Sequence, residues 1–150
     1  MPARSESGFS SSPGLTLRRR INASPAKVYA AWTQPSQMMR WMHPHDHVCL
    51  HAEADVREGG RFRVVMRGPD GEQHDVSGTY LEGVPDARLV FTWAWSSTPE
   101  RESRVTVMLR EDGHATELTL KHERFFDEAA RDAHEGGWAG ALDLLVAQFR

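Results

Sequence analysis

Cysteine is nearly missing from this chain: Cys49 stands alone among 150 residues. No intrachain disulfide is possible, which excludes the stapled class of small secreted folds and makes a reducing cytoplasm the expected location. The first fourteen residues, Met1 to Gly14, lack any apolar run suited to a signal-peptide core or a membrane span, and their Ser, Gly and Pro content suggests a disordered tail. A surplus of positive charge is missing too. With 18 Lys and Arg against 21 Asp and Glu, the net charge is −3, so neither nucleic acid nor an anionic membrane is an expected partner. The one basic run, Arg18, Arg19 and Arg20, reads as a strand with a solvated edge. No Ser-His-Asp order, phosphate-binding glycine loop or dinucleotide fingerprint occurs, and no cofactor is expected.

Tryptophan, by contrast, is abundant. Trp32, Trp41, Trp93, Trp95 and Trp138 fall in four separate stretches. Each indole buries roughly 150–250 Å², or about 4–6 kcal/mol at ~25 cal/mol per Å², so most should converge on one interior. A chain of this length suits one domain, expected over residues 15–150. Whether its interior is solid or hollow decides between a folded unit and a small-molecule binder.

Hydrophobic spacing assigns the elements. Leu15, Leu17 and Ile21 alternate in a strand from Leu15 to Asn22, interrupted by Arg19. Ser24-Pro25 supplies an N-cap and a first helical proline, and Val28, Tyr29 and Trp32 share one face of the helix that follows. Pro35 ends that helix and opens a second, containing Met38, Met39, Trp41 and Met42. Six strands with period two come next: Val48–Val56, Arg61–Arg67, Gln73–Gly83, Arg88–Ser96, Ser103–Glu111 and Thr116–Glu123. The turns between them, such as Glu58-Gly59-Gly60, Pro69-Asp70-Gly71, Val84-Pro85-Asp86 and Glu111-Asp112-Gly113, imply an antiparallel meander. After Asp127, Trp138, Leu142, Leu145 and Phe149 recur at helical spacing. Gly136, Gly137 and Gly140 each cost that helix about 1 kcal/mol, which close packing on the sheet would offset unless the helix kinks.

This order, with its motifs, resembles the helix-grip proteins of the START-like (SRPBCC, birch-pollen-allergen-like) superfamily, in the branch named after homologues of the activator of the heat-shock-protein-90 ATPase. The matching residues are Ala23-Ser24-Pro25 with Val28 and Ala31-Trp32, Trp41, Asp55-x-Arg57-x-Gly59-Gly60-x-Phe62, and Pro69-Asp70-Gly71. They continue through Gly78-x-Tyr80, Arg88 to Trp93, Thr116-x-Leu118, and Gly137-Trp138 with Leu142 and Leu145. The resemblance implies an α+β fold of order β-α-α-β6-α, a curved antiparallel sheet gripping the C-terminal helix, with a cavity that in many relatives admits a hydrophobic ligand.

Three sets of residues carry candidate chemistry. Trp32, Trp41, Met42, Phe62, Val64, Met66, Tyr80, Phe91, Trp93, Trp95, His122, Trp138 and Leu142 are expected to line a cavity or to plug it. In that cavity Trp41 and Met42 would form a lid, and His122 or Tyr80 a polar anchor. An unfilled hole of roughly 300 Å³ would cost about 7 kcal/mol at ~24 cal/mol per Å³, so a large cavity must be occupied, wet or plugged. His43, His45, His47 and His51 share one parity and in an extended chain would face one side, with Asp46 or Cys49 beside them. Neutral imidazoles so placed could hold zinc or nickel, but the spacing fits no zinc signature, so no metal is expected and the segment reads as a solvated loop bordering the cavity mouth. Asp55 and Arg57 with Glu53, and His122-Glu123 near the end of the last strand, could supply the general base and cation of a cyclase; the structural alternative is an Asp55–Arg57 ion pair beside the Gly59-Gly60 turn and His122 as one polar residue on an apolar face. The expected function is binding of a small, mostly hydrophobic molecule without covalent chemistry. The alternatives are a cyclase, hydratase or hydrolase, or a chaperone co-factor or other interaction module, with a homodimer possible.

Overall fold

In a computed structural model, residues 12–150 are described; the expected N-terminal tail lies outside them as far as residue 11. The chain runs β1 (Leu15–Ile21), α1 (Pro25–Thr33), α2 (Pro35–Trp41), β2 (Val48–Ala54), β3 (Arg61–Arg67), β4 (Gln73–Val84), β5 (Arg88–Trp95), β6 (Ser103–Asp112), β7 (Ala115–Glu123) and α3 (Glu128–Gln148). All seven strands form one curved antiparallel sheet of order β1-β7-β6-β5-β4-β3-β2.

Local chemistry explains the boundaries. Ser24 Oγ accepts from the Lys27 amide at the start of α1, and Asp127 Oδ1 accepts from the Ala130 amide at the start of α3. Pro35 holds Gln34 extended between α1 and α2. The β3–β4 and β6–β7 turns place Gly71 and Gly113 at positive φ, where a side chain would be strained. At Val84-Pro85-Asp86 the positive φ falls on Asp86 instead, a residue that tolerates it. β2 stops at Ala54, short of the expected Val56, because the chain folds back there: the Arg57 amide donates to the Asp55 carbonyl.

Alternation sends Leu15, Leu17 and Ile21 of β1, Phe62, Val64 and Met66 of β3, Leu89, Phe91 and Trp93 of β5, and Val105 and Val107 of β6 into the core. Arg19 shares the inward parity of β1, and its Nε donates to Asp143 Oδ1 of α3 at 3.2 Å. The polar interruption in an apolar strand thus ties the sheet's edge to the helix it holds. α3 contributes Trp138, Ala141, Leu142 and Leu145 to the same core.

The three glycines of α3 do not play the part expected of them. They do not serve packing on the sheet, and the helix is continuous through them. A Cβ at Gly140 would sit 3.0 Å from His45 Nδ1, so its absence admits the loop before β2. A Cβ at Gly137 would meet only Pro44 Cγ at 3.7 Å, and one at Gly136 would meet nothing within 4 Å.

Candidate functional site

The aromatic residues divide into a solid core and an open wall. Trp32 and Trp41 are fully buried, with ring centroids 4.5 Å apart, and Trp32 lies 5.9 Å from Trp138 and 6.5 Å from Phe91. Phe62, Tyr80 and Phe91 interlock at 5.1–6.0 Å. Trp41 is therefore not a lid: its Nε1–H donates to the Ala31 carbonyl at 2.9 Å inside the core. Val64 and Leu142 are also fully buried. Tyr80 is 2% exposed, and burial, the largest cause, pushes its phenol well above the ordinary value.

On the other side of Trp93 and Trp138 the protein opens. A cleft of about 260 Å³ lies between the sheet and α3. Trp93 and Trp95 of β5 and Met66 of β3 form the sheet wall; Ala133, His134, Gly137, Trp138 and Ala141 form the helix wall; Met42, His43 and Pro44 close one side. Of the residues expected to line a cavity, the structure brings together Met42, Met66, Trp93, Trp95 and Trp138. Trp32, Trp41, Phe62, Val64, Tyr80, Phe91, His122 and Leu142 pack behind them as core.

Two histidines sit against this wall in fixed tautomers. His122 is fully buried on β7. Trp138 Nε1–H donates to its Nδ1 at 3.0 Å, and an indole nitrogen can only donate, so the imidazole proton resides on Nε2. That proton points to Ser103 Oγ at 2.7 Å, and the Ser103 hydroxyl in turn donates to the Trp93 carbonyl at 3.2 Å. Burial, with the neighbouring His134 as a smaller cause, depresses the His122 pKa to about 2. The buried Ser-His contact is consequently not a nucleophile and its base: the histidine proton is directed at the serine, and the serine proton elsewhere. His134, on α3, repeats the arrangement in mirror order. Trp95 Nε1–H donates to its Nε2 at 2.9 Å, and its Nδ1–H donates to the Ala130 carbonyl at 2.7 Å. Burial lowers its pKa as well, against the opposing effect of the Ala130 bond.

His134 was not anticipated from the sequence. Its signal was present, since His134, Trp138, Ala141 and Leu145 lie on one helical stripe. His43 belongs to the segment expected as a solvated loop bordering the cavity mouth, and it lines the cleft. Its Nδ1–H donates to the Pro44 carbonyl at 2.8 Å, leaving Nε2 without a protein partner among the described residues. Trp93 Nε1 is also buried without a partner.

The histidine series does not share a side. Residues 44–47 form a turn, closed by the His47 amide donating to the Pro44 carbonyl, and a bulge between Cys49 and His51 breaks the parity again. His43 faces the cleft, His45 packs on Gly140, His47 lies 5.7 Å from His74, and His51 Nε2 pairs with Glu53 at 2.7 Å. No group of three or more His, Cys, Asp or Glu among the described residues is arranged to hold a metal ion. Asp55 and Arg57 form an exposed ion pair at 2.8 Å and do not line the cleft.

A curved antiparallel sheet closed on one long C-terminal helix, with a cleft beside that helix, defines a helix-grip protein. Residues 22–150 match the family described as activator of Hsp90 ATPase homolog 1-like protein, and the chain belongs to it. A Chromobacterium violaceum protein of solved structure is 27% identical with a TM-score of 0.82, the match covering 91% of this chain and 97% of that one. An AHSA1 protein from Silicibacter pomeroyi is 25% identical with a TM-score of 0.81, covering 91% and 96%. An AHSA1-like protein from Aeromonas hydrophila, 22% identical with a TM-score of 0.76 and coverage of 90% of each chain, shares the fold. Among curated proteins none matches. Among the described residues, no helix is long and apolar enough to cross a membrane.

Proposed function

We propose that the protein reversibly binds a small, mostly apolar molecule in the cleft between sheet and α3, without covalent chemistry. The observation that carries this reading is the division of the tryptophans. Trp32 and Trp41 fill the core, whereas Trp93, Trp95 and Trp138 share an opening of about 260 Å³ with Met42 and Met66. An apolar cavity of about 150 Å³ holds a benzene molecule, so the cleft is of the scale of two fused rings. Thioether side chains repack around ligands of different shape. The neutral tautomers of His122 and His134 support binding over acid–base chemistry, because each ring nitrogen is already engaged. The free thiol of Cys49 supports a reducing cytoplasm as the location.

Titration with naphthalene is the test. It should change tryptophan emission and raise the melting temperature, with a stabilisation of about 2.7 kcal/mol at a hundredfold excess over Kd. Ala133→Trp, which places a ring in the cleft from an exposed helix position, should abolish both responses. Absence of either response to naphthalene or to a panel of larger apolar compounds would sink the binding reading.

A further inference from the structure

The aromatic cleft does not end at its mouth. A second concavity of about 600 Å³ adjoins it, and Pro44, Met66 and Trp95 line both. The two are chemically distinct. Where the cleft is walled by indoles and thioethers, the outer concavity presents His47, Glu72, His74, Asp75, Ser96 and Ser97. Its histidines continue the aromatic wall outward, His74 lying 6.2 Å from Trp95 and His47 a further 5.7 Å from His74.

Among the described residues, neither lining contains a lysine or arginine. The Asp75 carboxylate is held by Arg63 through bonds of 2.8–3.1 Å on the outer face of the sheet. Among the described residues Glu72 is paired with no lysine or arginine: its nearest basic neighbour is the His74 imidazole, with Nε2 at 3.7 Å, and its side chain is 69% exposed. Asp46 adds a further carboxylate beside His47. The acceptors that a ligand meets thus include Glu72, the Gln73 amide oxygen, the serine hydroxyls and His43 Nε2, and an anionic group would enter a rim that carries the carboxylates of Glu72 and Asp75.

Resting on the binding reading above, we propose that the cleft and the outer concavity form one site for an amphiphile. Its apolar part lies between Trp93, Trp95 and Trp138, and its head, an alcohol or amine that donates hydrogen bonds, lies beside His74 and Glu72. Carboxylates and phosphates of the same skeleton are rejected. Selectivity of this kind comes from repulsion as much as from attraction.

The experiment uses naphthalene bearing a butyl chain that ends in an ammonium, a hydroxyl or a carboxylate, with unsubstituted naphthalene as reference, at about pH 8 and low salt. The ammonium compound should bind about tenfold more tightly than the carboxylate, with the alcohol between them, and the spread should narrow at high salt. Glu72→Lys, an exposed substitution, should reverse the order of the charged pair and leave naphthalene affinity unchanged. Equal affinities for the three compounds, or a preference for the carboxylate, would overturn the amphiphile site while leaving the cleft intact. A preference that Glu72→Lys does not alter would overturn the placement of the head. If neither naphthalene nor any derivative binds, the function proposed above fails, and this inference with it.

Discussion

The most consequential residue pairings are the two indole-to-imidazole hydrogen bonds, Trp138 to His122 and Trp95 to His134. Each requires a neutral histidine, and both pKa values lie below the ordinary value near 6.5. In the unfolded chain both imidazoles take up protons as the pH falls through about 6.5, while the folded protein resists. Stability is therefore fully present above that pH and is lost on acidification, by up to ~1.4 kcal/mol per pH unit for each histidine. For His122 the loss continues toward about 2. Urea melts between about pH 7 and pH 4 should show this slope, and His122→Gln should lessen it; an unchanged slope would remove His122 as a source. Gly78 on β4 is a second sensitive position. A Cβ there would overlap the Thr92 carbonyl oxygen, backbone that cannot swing away. Gly78→Ala should destabilise the fold by more than about 3 kcal/mol, read as a lowered denaturation midpoint.

At the scale of elements, the three glycines of α3 lower its helix propensity, and each meets different surroundings. Gly136→Ala meets open space and Gly137→Ala meets only an ordinary contact with Pro44, so each should raise stability by about 0.5–1 kcal/mol. Only Gly137→Ala narrows the cleft, and it alone should weaken naphthalene binding in a fluorescence titration. Gly140→Ala should instead lower the melting temperature, because His45 must move. The elements themselves were readable in the sequence because each has its own period and its own punctuation. Pro35, Asp127 and the Gly71 and Gly113 turns act within a few residues of where they stand. The parity of the histidines was not readable, since it depends on the turn at 44–47 and the Cys49/His51 bulge, neither of which alters the composition of the segment.

For the whole molecule, one question was open: whether five tryptophans enclose a ligand or exclude one. Sequence brought them to one interior, but which indoles plug and which line depends on where α3 crosses the sheet. Trp138 belongs to both sets, stacking on Trp32 at 5.9 Å and facing the cleft beside Trp93 at 5.1 Å. The proposed binding and the packing of the core would therefore share a side chain. Trp138→Phe keeps a ring in the core but removes the donor to His122. It should lower stability by about 1–3 kcal/mol, by leaving a buried Nδ1 without its partner, and should also weaken naphthalene binding; loss of one without the other would show that the two roles are separable.

The first strand of the sheet pairs with the last, Leu15 opposite His122 and Ile21 opposite Thr116, and Arg19 meets Asp143 across 124 residues of sequence. This pairing has a consequence for synthesis. At roughly 5–20 residues per second, Trp32 leaves the ribosome roughly 5–20 s before the Trp138 that will cover it. During that interval α1 and α2 carry their indoles without the helix that completes the core, so the nascent chain exposes apolar surface that the finished protein buries.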